Sequence, residues 1–201
     1  MTAAPPFILA SKSAIRAKML SDAGLAIEIV PSTIDERAIE APAMARGASP
    51  AAIAALLACE KARDVSQHRP GRIIIGADQT LALGQRRFSK PLDRAAAREQ
   101  LCALRGATHT LASAAALARD GELLWQGVDE VRLTMRHFSD AYLDTYLDAM
   151  GAGVTATVGG YQLEGLGIQL FSAIDGDYFT ILGLPLLKLL AALRDNRLLS
   201  T

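Results

Sequence analysis

The run Arg72-Ile73-Ile74-Ile75, followed at once by Gly76-Ala77-Asp78-Gln79, constrains this chain more than any other segment. Three consecutive β-branched residues predict a strand buried on both faces, of the kind found in a covered sheet. Gly76 is expected to turn the backbone and bring Asp78 out just past the carboxyl end of that strand. Open α/β sheets bind their ligands there. A carboxylate at such a place carries a desolvation cost unless it is paired, bound to metal or used in chemistry. On this motif alone, a turn or helix-capping Asp fits as well as a functional one.

Around this strand the pattern alternates between strand and helix. Phe7-Ile8-Leu9-Ala10 predicts a short buried strand. A helix over 14–23 follows, with Ser13 as N-cap and Gly24 at its C-terminal turn. Ala26 to Val30 predicts a second strand, and 32–47 reads as a polar, Pro-containing stretch that holds Asp35-Glu36. Ser49-Pro50 opens a helix to about Gln67, with Pro at its first position. After Ile73–Ile75 come a short pairing strand over 80–83, a turn at Gly84 and a helix over 94–104. Segments 108–118, 122–126 and 128–137 predict an antiparallel meander. Ser139-Asp140 caps a helix through Ala149, 168–174 predicts a strand, and Gly183-Leu184-Pro185 opens the last helix. The pattern is α/β, a mixed central sheet flanked by helices, as one domain over 1–201 with two lobes.

Composition narrows the classes. The 201 residues carry 21 Lys plus Arg against 21 Asp plus Glu. A neutral chain has no general electrostatic pull toward nucleic acid or an anionic membrane, so neither is an expected partner. Cys59 and Cys102 form no CxxC pair, and a reducing compartment is the default. The first residues, Met1-Thr2-Ala3-Ala4-Pro5-Pro6, show no basic segment followed by an apolar one, and no apolar run reaches membrane-spanning length. The expectation is a soluble cytoplasmic protein.

Candidate chemistry lies in several short motifs. A strand, then Ser11-Lys12-Ser13, then a helix carrying Arg16 suits an anion: backbone N–H groups at a helix start, two hydroxyls and a guanidinium. A capped surface helix with a solvated Arg has the same sequence. Lys61 continues the stripe of Ile53 and Leu57, so it either snorkels to solvent or carries charge into a cleft; spacing slightly favours snorkelling. Lys90, before Pro91, is held extended in a loop, where most lysines are solvated. Gly151-Ala152-Gly153-Val154-Thr155-Ala156 fits a dinucleotide fingerprint but follows a helix instead of a strand, so the mechanics are missing. His68, His109 and His137 lack metal-ligand spacing.

The order of these pieces is more specific than any one of them. Leu9-Ala10-Ser11-Lys12-Ser13-Ala14-Ile15-Arg16, Asp35-Glu36, Cys59-Glu60-Lys61-Ala62, Ile75-Gly76-Ala77-Asp78-Gln79 and Lys90-Pro91-Leu92-Asp93 come first. Leu104-Arg105-Gly106-Ala107-Thr108-His109, Gly160-Tyr161-Gln162-Leu163-Glu164-Gly165, Gly176-Asp177-Tyr178 and Gly183-Leu184-Pro185-Leu186 complete the series. Over nearly its full length the chain resembles the Maf (septum-formation) family of nucleoside triphosphate pyrophosphatases. The resemblance implies an inosine-triphosphatase-like fold with a cleft between two lobes. It implies hydrolysis of a nucleoside triphosphate to monophosphate and pyrophosphate, assisted by a divalent cation, Mg or Mn. Ser11, Ser13, Arg16, Lys61 and Lys90 would line the phosphate path. Asp78 would accept the proton, and Glu36, with Asp78, would hold the metal. Homodimers are common in the family, so a homodimer is expected.

This chain departs from the family pattern at Ile15, where an Arg is usual, at Ser89, where Gly is usual, and at Val158-Gly159-Gly160 in place of Lys-Ala-Gly. Gln79 and Glu164 resemble the branch that acts on 7-methylguanosine triphosphate; the dTTP and UTP branch has Thr and Gln there. A carboxylate accepts hydrogen bonds, and guanine offers two adjacent donors. The expected substrate is therefore 7-methyl-GTP. The alternatives are a dTTP/UTP pyrophosphatase of the same family, or a non-catalytic nucleotide-binding regulator of cell division.

Overall fold

The computed structural model describes residues 6–200, so the expectation about the first five residues lies outside the described part of the chain. The elements are β1 (Phe7–Leu9), α1 (Ala14–Asp22), β2 (Ile27–Ile29), α2 (Glu36–Ala45), α3 (Pro50–Gln67), β3 (Ile73–Leu83), β4 (Arg86–Phe88) and α4 (Arg94–Leu104), followed by β5 (Thr108–Arg119), β6 (Glu122–Met135), α5 (Asp140–Met150), β7 (Phe171–Asp175), α6 (Tyr178–Ile181) and α7 (Leu186–Asp195). The strands form one mixed sheet in the order β2-β1-β3-β5-β6-β7, with β4 paired to β3. β1 runs parallel to both β2 and β3, and Leu9 lies opposite Ile29 and Ile75. β4 and β7 are antiparallel to their partners. The chain divides into two compact units: Met1–Gln79, Ala112–Asp129 and Asp177–Thr201 make the first, and Thr80–Leu111 and Glu130–Gly176 the second.

The Ile run behaves as its composition demands. Phe7, Leu9, Ile73 and Ile75 pack on one face with Leu20 of α1 and Leu189 of α7. Ile8 and Ile74 pack on the other with Ala54, Ala58 and Ala62 of α3. Alternate residues of a strand face opposite sides, and here both sides are covered by helices. That is why no polar residue interrupts the run.

Four expectations change. β3 does not turn at Gly76 but continues unbroken to Leu83, so 73–75 and 80–83 are one strand. Gly76 has no positive φ. A Cβ on it would meet the Ala58 carbonyl oxygen at 2.1 Å and Ala62 Cβ at 2.8 Å, so the glycine admits α3, not a turn. β6 likewise runs through Gly127, over which the Trp125 ring lies, and merges two expected strands. The stretch 32–47 holds helix α2, capped by Asp35 and containing Pro42; its Ile39 and Ala43 pack on Ile53 and Leu57. β7 starts at Phe171 instead of 168, because 166–170 winds as a 3₁₀ turn. Gly151–Thr155 is also 3₁₀ and follows α5, so no strand precedes the dinucleotide-like run.

In the second unit α4 and α5 are laced by Arg94–Asp148 at 2.6 Å, Arg98–Asp144 at 2.8 Å and Arg105–Asp140 at 2.7 Å. Buried His109 meets the Tyr161 hydroxyl at 2.7 Å. Burial pulls this imidazole down to about 4, so it is neutral at pH 7 and serves as a structural tie to the 3₁₀ region. Among the described residues no helix is long and apolar enough to cross a membrane.

Candidate active site

The first unit gathers Ser11, Ser13, Arg16, Glu36, Lys61 and Asp78 from four elements and the loop before α1. Lys61 is the junction. Its ammonium lies 2.6 Å from Asp78 Oδ1 and 2.8 Å from Glu36 Oε1. The Lys61 and Asp78 side chains are only 10% and 11% exposed, whereas Glu36 is half exposed. Lys61 therefore does not snorkel. The α3 stripe turns it toward β3, and the close approach at Gly76 brings the two elements within reach of one ion pair. Glu36 stands in the first turn of α2, not in a loop. Asp35 accepts from Ala38 N–H at 3.1 Å and so starts the helix at Glu36.

Arg16 is aimed by three hydrogen bonds. Nε donates to Gly183 O at 2.8 Å, and Nη1 donates to Ser11 Oγ and Ala77 O, both at 3.1 Å. Nη2 has no hydrogen-bond partner among the described residues. Ser11 Oγ also accepts from Ser13 N–H at 3.2 Å, so its lone pairs are engaged and its O–H remains to donate. Ser13 caps α1 through the Arg16 N–H at 3.4 Å. The result is a start of helix with an oriented guanidinium and a hydroxyl donor, a constellation suited to phosphate oxygens.

Two opposed effects act on Asp78. Burial pushes its carboxyl pKa up, while Lys61 and Arg16 pull it down, and the net direction is upward. Burial also lowers the Arg16 guanidinium, against the pull of Asp78 and Glu36. A buried carboxylate with a raised pKa, held by a lysine, can take a proton from a polarised water.

Gln79 points away from this cluster. Its amide Nε2 donates to Ser113 Oγ at 3.0 Å, Thr180 O at 3.1 Å and Ile181 O at 3.0 Å. Lys90 and Glu164 belong to the second unit. Both are exposed, Lys90 after β4 and Glu164 in the turn over 163–165, not at a strand end. Gly183, Ser113 and Thr180 were not singled out for any role by the sequence. The signals were that Gly183 opens a Gly-Leu-Pro helix start and the last motif of the family series.

A buried carboxylate–lysine pair beside an oriented arginine at a helix start gives this α/β sheet a cluster suited to an anion. Residues 6–196 match the Maf-like protein family, and the chain belongs to it. A protein of Mesorhizobium japonicum named 7-methyl-GTP pyrophosphatase is 53% identical over 187 residues, 93% of this chain and 94% of that one. A protein of Nitrobacter winogradskyi named nucleoside triphosphate pyrophosphatase is 53% identical over 195 residues, 97% of this chain and 96% of that one. Another 7-methyl-GTP pyrophosphatase, from Brucella abortus, is 50% identical over 190 residues, 94% of this chain and 96% of that one. A solved HAM1 protein from Coxiella burnetii aligns with 64% of this chain and 72% of its own, at a TM-score of 0.44 and 17% identity.

Proposed function

We propose that this chain is a nucleoside triphosphate pyrophosphatase that cleaves between the α and β phosphates and releases monophosphate and pyrophosphate. One observation carries the reading: the Glu36–Lys61–Asp78 chain of charges, with Lys61 within 2.8 Å of both carboxylates, set beside the three-point-held Arg16. Pyrophosphate is a highly charged leaving group, and fixed cations that need not reorganise stabilise its departure. Arg16 Nη2, the Ser11 O–H and the start of α1 bind and orient the phosphates. Asp78 accepts the proton of the attacking water, and its raised pKa makes it a stronger acceptor than an exposed Asp. Lys61 holds Asp78 in place. Lys90, exposed in the second unit, is a further candidate for the phosphates on the family resemblance alone.

Glu36 and Asp78 are the carboxylates that would hold a divalent cation. Among the described residues no group of three or more His, Cys, Asp or Glu is arranged to hold a metal. Magnesium-type ions are held by one or two carboxylates and completed by water and substrate phosphate, so this donor set fits. When bound, such an ion neutralises phosphate charge and acidifies water.

The favoured substrate is 7-methyl-GTP. Two relatives at 50% identity or more bear that name, and Glu164 offers guanine a pair of acceptors. The whole chain acts as one cytoplasmic domain and works as a homodimer; a sedimentation mass of one 21.3 kDa chain would remove the dimer. The deciding experiment is pyrophosphate release from 7-methyl-GTP, dTTP, UTP and the ordinary triphosphates, with Mg²⁺ and with Mn²⁺. Release is expected, fastest from 7-methyl-GTP. Faster release from dTTP or UTP overturns the substrate and keeps the reaction. No release from any triphosphate, with nucleotide still bound, overturns the reaction and makes the chain a binding regulator.

A further inference from the structure

We propose that Lys61 is an internal cation: its ammonium occupies the place between Glu36 and Asp78, keeps free divalent ions out, and yields only to an ion that arrives on the substrate's phosphates. The inference deepens the pyrophosphatase reading and rests on it for the identity of those phosphates.

One ammonium joins the two carboxylates, at 2.6 Å from Asp78 Oδ1 and 2.8 Å from Glu36 Oε1. All three residues belong to the first unit. Magnesium-type ions approach carboxylate oxygens to about 2.0–2.1 Å. An ion bound to the same two oxygens would therefore stand where the ammonium stands. Lysine suits a place that has to be given up, because its charge is a compact point on a flexible four-carbon stem. The ammonium has three N–H donors, and its only partners among the described residues are Asp78 and Glu36. A Lys61 that leaves the carboxylates keeps all three donors for phosphate oxygens.

Counting charges gives the same answer. Glu36 and Asp78 are matched by Lys61 in contact and by Arg16, on which both carboxylates act through space. The cluster is neutral as it stands. A divalent ion arriving alone would leave two positive charges in excess. The Lys61 and Asp78 side chains are 10% and 11% exposed, so water screens that excess poorly. Phosphates that come with the ion supply the missing negative charge and a partner for the displaced ammonium. Ion and phosphates therefore bind better together than either does alone, and Lys61 is the residue that couples them.

The test measures binding of Mn²⁺ alone, and of Mn²⁺ with inorganic tripolyphosphate, calorimetrically on the full chain, with melting curves confirming the fold. Wild type should take free Mn²⁺ only at about millimolar concentration or above, and the equimolar mixture about tenfold more tightly or better. Lys61→Met should bind free Mn²⁺ about thirtyfold more tightly than wild type, within the range of coupled sites. Adding Glu36→Gln to Lys61→Met should abolish that gain. Arg16→Met removes the same charge but leaves Lys61 seated, so it should tighten free Mn²⁺ by no more than about threefold. Lys61→Gln decides the matter if Lys61→Met does not fold, and the wild-type arm needs no variant. Equal tightening in Lys61→Met and Arg16→Met overturns the proposal, because net charge alone then accounts for it. A wild type that binds free Mn²⁺ in the micromolar range overturns it too, as does a Lys61→Met that gains nothing or a mixture that binds no better than the ion. If Mn²⁺ with tripolyphosphate binds yet no triphosphate is hydrolysed, the pyrophosphatase reading falls, and the gain in Lys61→Met still decides the role of Lys61. Hydrolysis without that gain keeps the reading and removes the proposal.

Discussion

Asp78 shows how one side chain is made both unfavourable and useful. It is buried, it touches one ammonium, and its pKa rises even so. Asp78→Asn keeps the shape and removes the base, so turnover should fall by roughly 10²–10⁴. A rate within a few fold of wild type would show that another group takes the proton. The same substitution has a stability signature with a definite sign. The folded pKa lies above the unfolded one, so the folded state binds the proton more tightly. Stability from this group is then present at low pH and is lost as pH rises through the raised pKa. Wild type should gain stability relative to Asp78→Asn as the pH falls from about 7 to about 3. Melting temperatures of both proteins over that range test it; a difference that stays flat, or that changes the other way, contradicts the burial argument.

At the scale of elements, the contact of α3 with β3 decides whether Lys61 reaches Asp78. Gly76 permits that contact, since any Cβ would strike the Ala58 carbonyl. Gly76→Ala should destabilise the protein by about 3 kcal/mol or more, above the usual cost of an extra methyl, because backbone and not a flexible side chain is struck. A denaturant midpoint close to that of wild type would mean that α3 can move aside. The same contact explains what could be read from the sequence. α3 was legible to the residue, because Ser49-Pro50 is a local start signal and the stripe of Ile53, Leu57 and Lys61 is periodic. The length of β3 was not, because Gly76 and Asp78 look locally like a turn; the reason for the glycine lies on another element. Gly127 misled for a related reason, since it makes room for Trp125 two residues away on the same face. α2 was hidden by Pro42, whose penalty is offset by the Asp35 cap and by the packing of Ile39 and Ala43 on α3.

Over the whole molecule, the candidate residues are divided between the units. The charge cluster, Arg16 and the hydroxyls belong to the first, and Lys90 and Glu164 to the second. The family resemblance named all of them, but the direction of Lys61 and the commitment of the Gln79 amide could not be read from spacing. Both depend on partners distant in sequence. This division of labour predicts separable phenotypes. Glu164 is exposed in its turn, with a carboxylate that accepts and does not donate when ionised. Guanine presents N1–H and its 2-amino group side by side, and N7-methylation makes the ring cationic, so both the hydrogen bonding and the charge favour a carboxylate. Thymine and uracil present carbonyl oxygens around a single N–H, which a carboxylate repels and an amide can serve. Glu164→Gln should therefore lower the kcat/KM ratio of 7-methyl-GTP over dTTP by about tenfold, equivalent to ~1.4 kcal/mol. Tripolyphosphate binding should be unchanged, because Glu164 is not among the residues assigned to the phosphates. An unchanged ratio shows that Glu164 does not read the base; an unchanged ratio with weakened tripolyphosphate binding shows that it acts on the phosphates instead.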